Sequence, residues 1–275
     1  MQVNSGMVKT LRDKTGLPMM ECKKALEESG GDEQKAIEIL RKKGLSQIGK
    51  RAGRETAEGR VCFFRDPAQG RAALVEVLCE TEPVTGTDDF VRLSKAAACA
   101  AARLPDPTAT NILEQPLPDD PGRKIGDLLH DAINRIRENI RIGRICTVGG
   151  HFGHYLHHDG RKGVLVEFNA PCPAEVAADV CMHVAAMRPM YARREDVAAT
   201  LVEQERRIAE EQVKGKPPQI VDKIVAGKLD KWYAEIVLLE QPFVKDDKKS
   251  VGQYLREAAP GVTVSRFSRI EIGDA

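Results

Sequence analysis

Ala73-Leu74-Val75-Glu76-Val77 and Val164-Leu165-Val166-Glu167-Phe168 are two versions of one short segment, and their repetition decides the fold. Each reads as a strand. Upstream of the first, Gly59–Phe64 reads as a partner strand, joined to it by the turn Asp66-Pro67-Ala68-Gln69-Gly70. Upstream of the second, Gly153–His157 and the turn His158-Asp159-Gly160 repeat the arrangement. An Ala-rich helix follows the first hairpin, from Phe90 to Ala102, and stops near Pro105. A second follows the other hairpin, from Ala174 to Met187, and stops at Pro189. Ala-Ala recurs in both helices a few residues before the proline. Strand, turn, strand and helix, twice over, predict an α+β body of two related antiparallel-hairpin-plus-helix subdomains. Each hairpin is too small to stand alone and needs its helix as cover.

Between the two units Ile125, Leu128, Leu129, Ala132, Ile133, Ile136 and Ile140 fall at i, i+3, i+4 spacing, which predicts an amphipathic helix. The proline-rich stretch 104–122 before it reads as loop. After the second unit, Asp196 reads as the cap of a helix through about Val213. Gly215-Lys216-Pro217 turns the chain, and a second helix runs to about Trp232 with Ile220, Ile224, Val225 and Leu229 on its apolar face. Both arms are charged outside, so residues 196–232 read as a helical, coiled-coil hairpin inserted in the second subdomain. Two further strands are expected near Ala234–Leu239 and Thr263–Ile272.

The N-terminal segment has a different character. Residues 1–55 carry twelve Lys/Arg against eight Asp/Glu, while the remainder is faintly acidic. Ser5 reads as the cap of a helix with Met7, Val8 and Leu11 on one face, broken at Gly16-Leu17-Pro18. A second helix runs from Pro18 to Glu28 through Met19, Cys22, Ala25 and Leu26, with the proline at its first turn. Asp32 caps a third, whose apolar face is Ala36, Ile37 and Leu40 and whose natural stop is Gly44. Three helices in so few residues make a tiny core, suited to docking. Met19 and Met20 are adjacent, so a helix cannot point both at that core; one is expected at the surface, where a flexible thioether suits an adaptable interface. Residues 45–58 read as a partly helical linker. The expected boundaries are 1–55 for the head and linker, 56–145 for the first core subdomain and 146–275 for the second.

The 275 residues are 42% hydrophobic and 30% charged, an ordinary globular balance, with a net charge of +1 that gives no strong signal for nucleic acid or membrane. The seven cysteines are scattered and form no C-x-x-C pair, which reads as buried thiols of a cytoplasmic protein. No secretory signal and no run approaching the roughly 18 apolar residues of a membrane span is visible. No phosphate loop, dinucleotide fingerprint or nucleophile elbow is found, so no catalytic residue is assigned and no enzyme is expected. His151, His154, His157 and His158 cluster in sequence, but neighbours on a strand face opposite ways, and no metal site is assigned. Asp88-Asp89, before an apolar helix, reads as N-terminal helix charge.

An ordered set of motifs carries a resemblance. The head reads Val8-Lys9-Thr10-Leu11-Arg12, then Thr15-Gly16-Leu17-Pro18-Met19-Met20-Glu21-Cys22-Lys23-Lys24-Ala25-Leu26, then Gly31-Asp32 and Leu40-Arg41-Lys42-Lys43-Gly44. The body adds Cys79-Glu80-Thr81, Asp89-Phe90-Val91, Gly163-Val164-Leu165-Val166-Glu167, Met182-His183-Val184-Ala185-Ala186, Gly215-Lys216-Pro217 and Gln241-Pro242-Phe243-Val244-Lys245-Asp246. Taken together and in order, these resemble the bacterial elongation factor Ts family, whose head is ubiquitin-associated-like.

The resemblance implies a guanine-nucleotide exchange factor of translation elongation whose partner is the GTPase elongation factor Tu. It implies no cofactor of its own, since GDP, GTP and magnesium belong to the partner; homodimerisation stays open. By match, Arg12, Met19, Met20 and Lys23 are the head's partner-binding candidates, and His183 is the candidate contact of the second subdomain, with a core role for it equally open. Thr81-Glu82-Pro83-Val84 occupies the place of the family's Thr-Asp-Phe-Val loop, which disturbs the partner's magnesium site. Glu82 keeps the negative charge on a longer stem, but Pro83 cannot reproduce an aromatic wedge. The alternatives are a diverged homologue that binds the GTPase with weak exchange activity, and an adaptor or RNA-binding protein built on the basic head.

Overall fold

The structure, a computed structural model, describes residues 3–214 and 217–274. It divides into two compact units, one taking in the chain to Gln69, Ala73–Ile145 and the residues from Ile272, the other Gly70–Ala72 and Cys146–Glu271. Helices and antiparallel strands alternate in both, an α+β architecture.

The first unit opens with α1 (Ser5–Thr15), α2 (Met19–Glu28) and α3 (Glu33–Arg51), which close on Val8, Leu11, Cys22, Ala25, Leu26, Ala36 and Leu40. The cap of α1 is Asn4, one residue ahead of the expected Ser5, because its side-chain oxygen takes the Met7 N–H at 2.9 Å. Asp32 caps α3 through the Lys35 N–H at 3.0 Å. Gly44 does not stop that helix, which continues to Arg51 through half of the expected linker. The glycine is there for proximity: a Cβ on Gly44 would lie 2.2 Å from Asn134 Nδ2.

Behind the head, β1 (Glu58–Asp66), β2 (Arg71–Cys79) and β5 (Arg141–Gly149) form a sheet in the order β1-β2-β5. Helix α4 (Asp88–Arg103) lays Phe90, Leu93, Ala97 and Ala101 into the core, and α6 (Ile125–Ile136) adds Leu128, Leu129, Ala132 and Ile133. Asp66 organises the β1–β2 turn by accepting the Ala68 N–H at 2.9 Å. Hydrogen bonding from Arg103 Nε, also 2.9 Å away, holds its carboxyl below the usual carboxylate range. The expected helix reaching Ile140 ends at Ile136, where Arg137 turns left-handed at φ 68°; Ile140 is instead buried ahead of β5. The stretch read as loop holds α5 (Ala109–Leu113), capped by Thr108 and Asn111, and a small hairpin of β3 (Pro116–Leu117) and β4 (Asp120–Lys124).

In the second unit β6 (His151–Leu156), β7 (Lys162–Phe168) and β10 (Val264–Glu271) form an antiparallel sheet in the order β10-β7-β6. Helix α7 (Ala174–Met187) covers it with Val176, Val180, Cys181 and Val184. Gly153 lets the strand pass beneath the helix, since a Cβ there would sit 2.9 Å from that of Ala177. The expected strand 234–239 is absent. Helix α9 (Pro218–Ile236) consumes its first half, and Val237 makes a single bridge to Tyr191. Helix α8 (Ala199–Gln212) pairs with α9 over Ala209, Val213, Val225 and Leu229. Asp196 caps the short 3-10 turn Arg194–Asp196 rather than α8, accepting the Arg193 N–H at 3.0 Å. Ile220, expected on the apolar face, is exposed. Of the expected turn, Gly215 and Lys216 lie outside the described residues.

The internal repetition runs further than Leu-Val-Glu. β8 (Pro242–Phe243), β9 (Asp246–Ser250) and α10 (Val251–Ala258) reproduce β3, β4 and α6. Pro116 pairs with Lys124 and Leu117 with Asp120, as Pro242 pairs with Ser250 and Phe243 with Asp246. The Ile125 N–H reaches Gln115 O at 2.9 Å, and the Val251 N–H reaches Gln241 O at 3.0 Å. The glycine after each, Gly126 and Gly252, admits Leu113 O and Leu239 O where a Cβ would be. Both repeated carboxylates meet an arginine of the third strand: Glu76 takes Arg144 Nη2 at 2.6 Å, and Glu167 takes Arg266 Nε at 2.6 Å. Each unit is thus strand, strand, helix, small hairpin, helix, strand.

Candidate partner-binding surface

In the head, Gly16 takes a left-handed φ of 68° and ends α1, and Pro18 opens α2 from an extended backbone. The sharp bend leaves both methionines outside. Met19 is 50% exposed and Met20 62%, so neither is core filler and the pair forms an apolar step on a charged surface. Arg12 and Lys23 are exposed on α1 and α2, Lys23 facing Glu27 one turn on at 3.8 Å.

In the body of the same unit, Thr81-Glu82-Pro83-Val84 enters a 3-10 turn, Glu82–Gly86. Thr81 is extended, and Pro83 sits in the first turn, where its fixed φ suits the helix and its missing N–H leaves no bond unmade. Val84 is buried in the core cluster, while Thr81, Glu82 and Pro83 are exposed. The Val84 N–H reaches Thr81 O at 3.3 Å, and Thr87 Oγ1 donates to Val84 O at 2.8 Å. The apolar end of the motif is therefore an anchor, and its middle is the part offered outward.

His183 lies on α7 of the second unit and is completely buried. Its Nδ1 accepts the Val244 N–H at 3.2 Å, so the proton sits on Nε2, which donates to Gln241 Oε1 at 3.0 Å. Gln241 in turn donates through Nε2 to Glu235 O at 2.8 Å and Met187 O at 3.3 Å. Burial pushes the His183 pKa down, against a smaller upward pull from Gln241. The histidine is a tie between α7 and the β8–β9 hairpin, with no surface of its own. Two residues bonded by that tie, Met187 and Val244, have exposed side chains, as does Met190 three positions after the first. The Met-Arg-Pro-Met run at the end of α7 was the available signal for the two methionines; nothing in the spacing marks Val244.

Among the described residues, no group of three or more His, Cys, Asp or Glu is arranged to hold a metal ion. His157 is engaged by Tyr155 Oη at 2.7 Å and packs on the ring of His158, with centroids 4.3 Å apart. Among the described residues no helix is long and apolar enough to cross a membrane. Burial pushes the Cys181 thiol well above its usual range, which makes it a poor nucleophile.

Comparison with known proteins adds to this geometry. The family model described as Elongation factor TS matches residues 80–274. The chain is 43% identical to the elongation factor Ts of Aquifex aeolicus (strain VF5), over 99% of either chain. It is 40% identical to that of Methylococcus capsulatus, over all of this chain and 93% of the relative, and 42% identical to that of Thermobifida fusca, over 98% and 97%.

Proposed function

The chain belongs to the elongation factor Ts family, and we propose that it acts as the guanine-nucleotide exchange factor of the GTPase elongation factor Tu, promoting GDP release during translation elongation in the cytoplasm. It does so by binding, not by catalysis. Whatever prefers the empty GTPase over the loaded one weakens GDP binding by the same factor. Reversing a strongly one-sided equilibrium takes about 5 kcal/mol of differential affinity, which calls for contacts at several places.

We assign three. The head, residues 1–55, docks through Met19 and Met20 with Arg12 and Lys23 around them. The exposed Glu82-Pro83 turn reaches the magnesium and phosphate site of the GTPase, with Thr81 and Val84 as its footing. The exposed Met187, Met190 and Val244, the first and last of them bonded by the His183 tie, meet a separate surface. The observation that carries this reading is the family match over residues 80–274, which takes in an exposed Glu82 held outward by the core-anchored Val84.

The test is stopped-flow release of a fluorescent GDP from elongation factor Tu with increasing amounts of this protein. Saturating acceleration that weakens as magnesium rises is the expected result; no acceleration at any concentration refutes it. A second reading is favoured by Pro83, which lacks the apolar reach of an aromatic ring. It holds that the chain binds the GTPase and exchanges weakly, and the same experiment separates it by a tight half-saturation with a low plateau.

A further inference from the structure

Six consecutive residues at the end of α6, Asn134 to Asn139, touch each part of the first unit that the proposed function uses. Toward the head, Asn134 fills the space that Gly44 leaves open on α3. Arg135 Nε donates to Thr15 O at 3.0 Å, one of the carbonyls that the end of α1 leaves without a helical partner. The same guanidinium bonds Asp89, at the start of α4, through Nη1 at 3.0 Å. Arg137 adopts a left-handed backbone, a position at which glycine is the unstrained choice, and pairs with Glu21 on α2.

Toward the turn, the geometry is tighter. Glu138 Oε2 accepts the N–H groups of Glu80 and Thr81, each at 3.0 Å, and its Oε1 accepts the Thr81 hydroxyl at 2.5 Å. One carboxylate thus collects every donor on Thr81. Asn139 completes the set: its N–H reaches Glu80 Oε1 at 2.6 Å, and its Nδ2 donates to Arg54 O at 2.9 Å.

This is not what the duplicated fold needs to close. At the matching place in the second unit, the stretch after α10 is tied by Asn169, which follows β7. Asn169 donates to Gly261 O at 3.2 Å and accepts the Thr263 N–H at 2.8 Å. The carboxylate and the two arginines belong to the unit that carries the head and the 81–84 turn.

We infer that Asn134–Asn139 is a positioning element that joins the head and the 81–84 turn into one rigid tool, with Glu138 fixing the turn and Arg135 and Arg137 fixing the head. The inference rests on the exchange-factor reading for its effect on the partner, though not for its geometry. Charge-assisted bonds from one carboxylate to several donors are the strong kind, and a misplaced turn loses rate out of proportion to the energy of any single contact.

The two halves of the element are separable by experiment. GDP release from elongation factor Tu is followed across a concentration series for the wild type, for Glu138→Ala, and for the double variant Arg135→Ala/Arg137→Ala. Glu138→Ala is expected to lower the plateau rate about tenfold with half-saturation moved less than about twofold. The double arginine variant is expected to do the reverse. Hydrogen exchange of the Glu80 and Thr81 amides, measured without any partner, is expected to speed up in Glu138→Ala alone. If both variants depress plateau and half-saturation in parallel, or the Thr81 amide stays protected without the carboxylate, the inference is overturned. A wild type that accelerates nothing defeats the exchange reading instead, and the amide exchange still decides the geometry. Should Glu138→Ala not fold, Glu138→Gln, which keeps one accepting oxygen, carries the same test with a smaller loss.

Discussion

Replacing His183 by alanine tests the claim that this residue acts from inside the second unit. The side chain is fully buried, and deleting a ring of that size from a packed site costs roughly 2–3 kcal/mol. The deletion also strands the Val244 N–H and the Gln241 amide oxygen, at roughly 1 kcal/mol each. The expected loss is about 4 kcal/mol, which at a denaturant slope of ~2 kcal/mol/M moves the urea midpoint of the second unit down by about 2 M. Circular dichroism follows the transition, and hydrogen exchange of the Val244 amide reports the local site. The pH dependence follows from the same burial. The folded-state pKa is depressed below the ordinary value, so at pH 8 the ring is neutral folded or unfolded. As pH falls through about 6.5 the unfolded chain takes up a proton that the folded chain refuses. Stability present above that value is therefore lost toward pH 5, and His183→Gln flattens that part of the curve. A midpoint shift under about 0.5 M, with the pH profile unchanged, would refute the tie between α7 and the β8–β9 hairpin.

Three further outcomes are expected. Met19→Asp with Met20→Asp raises the half-saturating concentration for GDP release by about tenfold or more; because both side chains are exposed, the melting temperature stays within about 2 °C. Pro83→Ala changes the release rate less than about twofold, since the exposed ring lacks an aromatic's area; a large loss in the same stopped-flow assay would show the ring to be a wedge. Gly143→Ala drives a Cβ to 2.3 Å from Glu76 Oε2 and disturbs a buried carboxylate paired with Arg144. A loss of roughly 2–4 kcal/mol is expected in urea unfolding, and a neutral result would mean that Glu76 and Arg144 shift together at little cost.

Much of the architecture was legible because Leu-Val-Glu recurs where a central strand recurs. The rest was hidden by signals that depend on distant residues. In the β3–β4 hairpin β3 is two residues long and β4 five, too short for any period, and its prolines read as loop; its counterpart at Gln241-Pro242 becomes visible only once both are folded. β5 was masked because Ile140 continues the helical spacing of α6, and only the left-handed Arg137 ends that helix. Gly44 carries the residue type of a helix stop, yet it serves an approach to Asn134, ninety residues away. The candidate site divides the same way. Exposure of a methionine follows from adjacent positions on one helix, and the structure exposes both. Burial of His183 depends on Gln241 and Val244, which no local pattern links to it.

A polypeptide that writes the same corner twice faces a sorting problem while it is being synthesised. Gln115-Pro116 emerges long before Gln241-Pro242, and either small hairpin matches the backbone pairing of the other. Misassembly between like parts is the characteristic failure of repeat chains. The plugs differ in size, however. Phe243 stacks on Tyr254 with ring centroids 4.3 Å apart, whereas the first copy seats Leu117 with Leu128 at the matching position. A swapped hairpin would wedge a phenyl ring into space cut for an aliphatic chain, or leave a tyrosine with no ring to lie against. Divergence at two core positions thus gives each copy its own address.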